Sequence, residues 1–343
     1  MAEDFFKLDS EERGEVLQVA ASESGRPNYL LEKDVWVVWA LSQLFHADFG
    51  QHLVFKGGTA LSKVYDVIQR FSEDVDLTYD IYALAPELVG ELEGIDPIPE
   101  TRSQRKKLTD AVRKELLPAW INRTALPYIS SALAEMGDVK ARADECNVYI
   151  EYEPLVPPSK YAIPRVKLEF GARSSGEPST PHSVVCDAAA YVENVTFPTA
   201  TPRVMNTSRI FWEKATAAHV YCLQGESGIS QRFSRHFYDL AKLEQAGYVG
   251  EALAQNEIAQ AVAIHKNAFF EEKDERQTRI DYIAAVTGSI RLMPSGSGIV
   301  ALRKDYEAMV ADGLLFEEAQ PFDQLMLACS QIQEKINAAM KAK

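Results

Sequence analysis

Residues 52–80, "HLVFKGGTALSKVYDVIQRFSEDVDLTYD", hold the densest group of side chains that could do chemistry. Gly57 and Gly58 follow a short apolar run and precede a helix-compatible one. Such a turn reaches backbone torsions closed to other residues and lets a second molecule approach the main chain. Thr59 is the expected N-cap, so the next helix would aim free N–H groups and a positive dipole end at an anion. Ser62 adds a hydroxyl and Lys63 a charge. These parts suit a phosphate cradle, but a strand-Gly-Gly-helix turn built for packing has the same residues, and both readings stay open.

Downstream, Asp74 and Asp76 stand at i and i+2 on an expected strand, so both leave one face. At roughly 6 Å and an effective dielectric near 20 they repel by about 2–3 kcal/mol. A cation must offset that. Mg²⁺ accepts one or two carboxylates and completes its shell with water and phosphate oxygens; Arg70 is the metal-free alternative. Glu73 belongs to the opposite face. In "RVKLEF", Val166, Leu168 and Phe170 alternate with Lys167 and Glu169. Glu169 is either a third acid, completing the carboxylate cluster of two-metal phosphoryl or nucleotidyl transfer, or part of an ordinary solvated strand face.

The elements that must hold these residues follow from periodicity. Helices are expected over 8–24 and 29–48, a strand at 52–55, and a helix over "ALSKVYDVIQR". "DVDLTYD" alternates like a half-buried strand. Residues 86–100 suggest a loop, and 102–136 helix broken near Pro118 and Pro127. "NVYIEYEPL" and "RVKLEFGA" suggest an antiparallel meander around the turn "VPPSKYAIP". From about residue 205 the chain is helix-compatible. The fold class expected is α/β (α+β): a mixed sheet with flanking helices over 1–202, then an all-helical C-terminal domain over 203–343.

Composition narrows the class. The chain has 343 residues and a formal net charge of −14, which argues against nonspecific coating of nucleic acid but not against a local basic face. "RSQRKKLTDAVRK" (102–114) is such a face, or simply a solvated helix. The acidic start is unlike a signal peptide, no apolar run reaches membrane-spanning length, and the four cysteines lack metal-ligand spacing. A cytoplasmic protein with reduced thiols is expected, with no membrane partner.

"FKGGTALSK" followed by "RFSEDVDL" resembles the AbiEii/AbiGii toxin family of nucleotidyltransferases, within the DNA polymerase β-like superfamily. The gap from Gly58 to Asp74 is longer than in the general superfamily pattern. "LEKDVWVVWAL" (31–41), "FWEKATAAHV" (211–220), "RFSRHFYDLAKL" (232–243) and "LRKDYEAM" (302–309) extend the resemblance along most of the chain. The resemblance implies that Gly57, Gly58 and Thr59 hold a nucleoside triphosphate, with Ser62 and Lys63 as helpers. It implies that Asp74 and Asp76, with Glu169, bind two Mg²⁺ ions. Lys214 would contact phosphates, and Asp239, with Arg235 a turn before it, would form a second essential motif. A surface ion pair between Arg235 and Asp239 is the plainer alternative. The implied activity is nucleotidyl transfer from NTP to the tRNA 3′ acceptor end, which blocks translation. The implied setting is a type IV toxin–antitoxin or abortive-infection system for phage defence, with a cognate antitoxin encoded alongside and no stable complex required. The helical domain would close the active-site cleft. A protein or small-molecule acceptor, or a nucleotide-binding pseudoenzyme, are the alternatives.

Overall fold

A computed structural model describes residues 2–72, 74–89, 92, 94–156, 163–225 and 232–341. Glu73 and most of the turn after "YEPL" lie outside them. The chain divides into two compact units. The first comprises Met1–Tyr65, Phe71–Gly90 and Leu108–Val204; the second comprises Asp66–Arg70, Glu91–Lys107 and Met205–Lys343.

In the first unit, seven strands among the described residues form one mixed sheet. Their spatial order is Lys140–Asp144, Asn147–Glu151, Arg165–Gly171, Asp74–Tyr79, Leu53–Lys56, Arg203–Met205, Ser179–Pro181. The Asp74–Tyr79 strand is central. It runs parallel to Arg165–Gly171 and antiparallel to Leu53–Lys56. Its alternation sets its faces: Val75 and Leu77 are fully buried while Asp74 and Asp76 are half-buried on the other side. Val166, Leu168 and Phe170 continue the same core layer.

Helix Ser10–Ser24 starts from a reciprocal cap, the Asp9 side chain accepting from the Glu12 N–H and the Glu12 carboxylate from the Asp9 N–H. Helix Asn28–His46 is buried nearly all round and carries Glu32, Lys33 and Asp34 into the interior. Two sequence expectations change here, and one strand forms where no element was expected. The helix after the glycine turn stops at Lys63 rather than Arg70. The β-branched Val64, Val67 and Ile68 weaken it, Asp66 takes φ +49, and Arg70 pairs in extended form with Leu315. Pro118 and Pro127 do not break their helix, because each follows a π turn. Leu117 and Leu126 donate five residues back, to the Val112 and Ile121 carbonyls. A wide turn relieves the clash between a proline ring and the preceding carbonyl. Finally, Lys140–Asp144 is an edge strand, although "KARAD" lacks an apolar alternation of the usual kind.

In the second unit, helix Thr207–Gln224 is central and is packed by Ser234–Gln245, Tyr248–Ala254 and Asn256–Phe269. The Asn206 side chain caps it by accepting from the Ser208 N–H, and Trp212 donates to the Ala252 carbonyl at 3.2 Å. Two short stretches from the first half of the sequence belong to this unit because charges fasten them. Arg70 pairs with Asp239, and Asp96 with Arg209, all four side chains buried. No helix among the described residues is long and apolar enough to cross a membrane.

Candidate active site

Strand Leu53–Lys56 passes into helix Gly57–Lys63 without an intervening loop. Gly57 makes the junction at φ +77, and a Cβ there would overlap the Asp76 carboxylate. Glycine is therefore needed twice at this position, for its torsion and for its missing side chain. The cap is Lys56, not Thr59 as expected. Thr59 lies inside the helix, buried, and its hydroxyl donates to the Asp74 carbonyl. That bond fastens the glycine-turn helix to the aspartate strand. Gly58 is buried under the same turn, and Ser62 is half-buried.

Asp76 stands in register with Lys56 on one side and Glu169 on the other, and Asp74 with Lys167. The sheet face opposite the core thus presents acids and lysines alternately. Lys167 bonds Glu169 at 2.5 Å. Burial lowers the Lys167 pKa, but the bond to Glu169, its charge and that of Asp74 outweigh burial and raise it. Register sets Lys56 across from Asp76 and Lys167 across from Asp74, whose charge acts on Lys167; sequence reasoning missed both neighbours. No three His, Cys, Asp or Glu among the described residues come together as a metal-holding group. Glu169 is exposed on Lys167 rather than gathered into a three-acid cluster. The donor set is the aspartate pair, which suits a Mg²⁺-like ion whose shell is completed by water and phosphate oxygens, not a closed protein cage.

Lys63 points into a buried charge cluster. Its ammonium lies 2.6 Å from both Asp34 and Asp187, and Arg26 pairs with Asp187 from the other side. The Asp187 N–H donates to Asp34 at 2.6 Å. Burial raises the Asp34 carboxyl despite Lys63, while burial lowers Lys63 but the two carboxylates carry it above its usual range. The signal for Asp34 was present in the sequence: "EKD" sits between the apolar runs "YLL" and "VWVVWAL" of one helix.

The second unit holds the other expected residues. Asp239 is fully buried. It accepts from Arg70 Nε and a terminal nitrogen at 2.7 and 2.8 Å, and from Lys214 Nζ at 2.7 Å. Burial alone would raise this carboxyl; Arg70 and Lys214 hold it far below the carboxylate range. Lys214 and Asp239 are therefore direct partners. Asp239 has no exposure, so its ion pairs are buried rather than at the surface, and Arg235 is half-buried. Arg70, the sequence alternative for balancing Asp74 or Asp76, sets its fork on Asp239.

The family model described as nucleotidyl transferase AbiEii toxin, type IV TA system, matches residues 39–328. That span holds the glycine turn, both aspartates, Glu169, Lys214 and Asp239. MenT4, a nucleotidyltransferase toxin from Mycobacterium tuberculosis H37Rv, has a solved structure similar at TM-score 0.40 and 17% identity, over 95% of this chain and 98% of that one. At that level of likeness the assignment rests on the family model alone. No curated protein matches the chain. Nucleotidyltransferases of the matched family use a nucleoside triphosphate and a divalent metal. The family model spans the greater part of the sequence, with the glycine turn, the aspartate pair and the Lys214–Asp239 pair inside it: the chain belongs to the AbiEii nucleotidyltransferase toxins of type IV toxin–antitoxin systems.

Proposed function

We propose that this enzyme transfers nucleotides from a nucleoside triphosphate to the 3′ acceptor end of tRNA and so blocks translation, acting in the cytoplasm as the toxin of an abortive-infection system. The observation that carries the reading is the approach of the Asp76 carboxylate to Gly57. The space a side chain would fill is where carboxylate and main chain meet, as a site for a metal-bound triphosphate requires. In this reading Asp74 and Asp76 would hold Mg²⁺, two ions in the full complex, with Glu169 as the third acid. When bound, the metal supplies Lewis-acid stabilisation of charge developing on the transferred phosphoryl group.

The remaining work belongs to the chain's own residues. Gly57 and Gly58 let the main chain approach the triphosphate, and Thr59 keeps the turn in step with the aspartate strand through the Asp74 carbonyl. Ser62 supplies a hydroxyl to the same turn. Lys63 acts from beneath, holding the helix on Asp34 and Asp187. Lys214 stabilises phosphate charge as a point cation, Asp239 orients it, and Arg235 is a further phosphate contact. A cognate antitoxin encoded alongside counteracts it, and a stable complex is not required for that.

The test is labelled transfer from each nucleoside triphosphate with Mg²⁺ to three acceptors: total tRNA, the same tRNA with periodate-oxidised 3′ ends, and protein. Label on intact but not oxidised tRNA is expected. Label on oxidised tRNA or on protein would move the acceptor elsewhere, and triphosphate binding without transfer to any of the three would refute the proposed activity.

A further inference from the structure

A second feature of the first unit lies apart from the glycine turn and the aspartate strand. A cavity of about 530 Å³ is lined by helices Ser10–Ser24 and Asn28–His46, the turn around Gly137 and the stretch from Tyr152 to Leu155. None of its lining residues belongs to the candidate active site. Glu32 lies within it at 3% exposure. Its carboxylate accepts from the Leu155 N–H at 3.0 and 3.3 Å, and no described basic residue forms a salt bridge with it. Buried carboxylates are ordinarily paired, and one N–H leaves most of its acceptor capacity unused. Burial pushes Glu32 up to about 7, against the pull of the Leu155 N–H and the charge of Arg13.

The walls beside Glu32 are aromatic. Trp36, one helical turn on, stacks with Tyr152 at 5.3 Å and 18°, and Phe5 closes the same side. Aromatic walls beside a carboxylate favour an organic cation, whose ammonium pairs with the acid while its methylene stem lies along apolar surface. Glu11, Asp138 and Glu153 are exposed members of the lining, against Arg13 as the one basic residue among the described lining residues. One deep acid and three outer ones fit a ligand with several ammonium groups along a flexible chain. A metal ion fits less well, because aromatic rings supply no ligand atoms and no three-acid group is formed here.

We propose that this cavity binds an aliphatic polyamine, one ammonium group seated on Glu32 beside Trp36 and Tyr152 and the others along Glu11, Asp138 and Glu153.

Calorimetric titration of the full chain with spermidine tests this. Saturable one-site binding is expected, with Trp36 fluorescence perturbed in parallel. Glu32→Gln keeps an acceptor for the Leu155 N–H but loses the charge, so it should weaken binding about tenfold or more. Affinity should strengthen between about pH 6 and pH 8 as Glu32 ionises, and Glu32→Gln should remove that slope. The variant separates Glu32 from the other groups facing the cavity, which are Glu11 and Arg13 from the first helix, Asp138 from the turn, and Tyr152 and Glu153 beyond the strand. Asp138→Asn combined with Glu153→Gln alters only exposed positions and should weaken binding several-fold even if Glu32→Gln does not fold. Absence of saturable binding, or equal affinity in wild type and the folded variants, would overturn the proposal.

Discussion

Asp239→Asn should destabilise the second unit by about 4 kcal/mol. The Asp239 carboxylate has no exposure and holds two cations, Arg70 at 2.7 and 2.8 Å and Lys214 at 2.7 Å. At an effective dielectric near 20, an ion pair at about 4 Å is worth about 4 kcal/mol before desolvation. Removing one partner of a buried pair typically costs about 3–5 kcal/mol, because a charge stays behind without compensation. Here two cations stay behind, while the asparagine oxygen can still accept one hydrogen bond, so the middle of that range is expected. Against a total stability of about 5–15 kcal/mol, the loss is large. The pH dependence supplies a second readout. Arg70 and Lys214 depress the folded-state pKa of Asp239, so its contribution is present above the ordinary aspartate range near pH 4 and is lost as pH falls below it. Urea denaturation followed by far-UV circular dichroism, for wild type, Asp239→Asn, Arg70→Met and the double variant, measures both. A loss under about 1 kcal/mol, or an acid limb unchanged in Asp239→Asn, would refute the view that this triad is a tight buried ion cluster.

Three further outcomes follow from other residues. Gly57→Ala places a methyl group on the Asp76 carboxylate at a positive φ, so we expect a loss of about 1–3 kcal/mol and of nucleotidyl transfer; a melting temperature and rate equal to wild type would contradict it. Lys63→Met strands Asp34 and Asp187; we expect a drop of about 3 kcal/mol in denaturant unfolding, whereas a raised KM for triphosphate at full stability would make Lys63 a direct phosphate contact instead. Burial, with the Arg291 charge, lowers His219 to about 4, and its Nδ1 accepts the Arg291 N–H at 2.9 Å, a bond that protonation there would break. The unfolded chain takes up this proton from about pH 6.5 downward, so stability is full above that value and lost as pH falls toward 4. His219→Gln should flatten the fall in melting temperature between pH 7 and pH 5.

What the sequence made legible was local. Alternation in "DVDLTY" and "RVKLEF" assigned both strands and their buried sides, because period-2 patterning needs no information from elsewhere. The glycine pair and the aspartates were readable for the same reason. Partners were not. Arg70 and Asp239 are separated by 169 positions, and nothing in "VIQRF" says which acid its arginine meets. Lys63 suggested a phosphate ligand because it follows a glycine turn, yet its cluster depends on Asp34 and Asp187 from distant segments. Lys56 and Lys167 became neighbours of the aspartates only through sheet register. The prolines at 118 and 127 misled in another way, since a π turn just before each one relieves the strain that ordinarily ends a helix.

The central claim is that Asp74 and Asp76, beside Gly57, are where nucleotidyl transfer takes place. Pyrophosphate release with Mg²⁺, nucleoside triphosphate and tRNA, compared between wild type and Asp76→Asn at matched melting temperature, tests it most directly. Asn keeps the shape and removes one metal-binding charge, so the account predicts a fall of about a hundredfold or more in rate. A folded Asp76→Asn enzyme that releases pyrophosphate at the wild-type rate would contradict it.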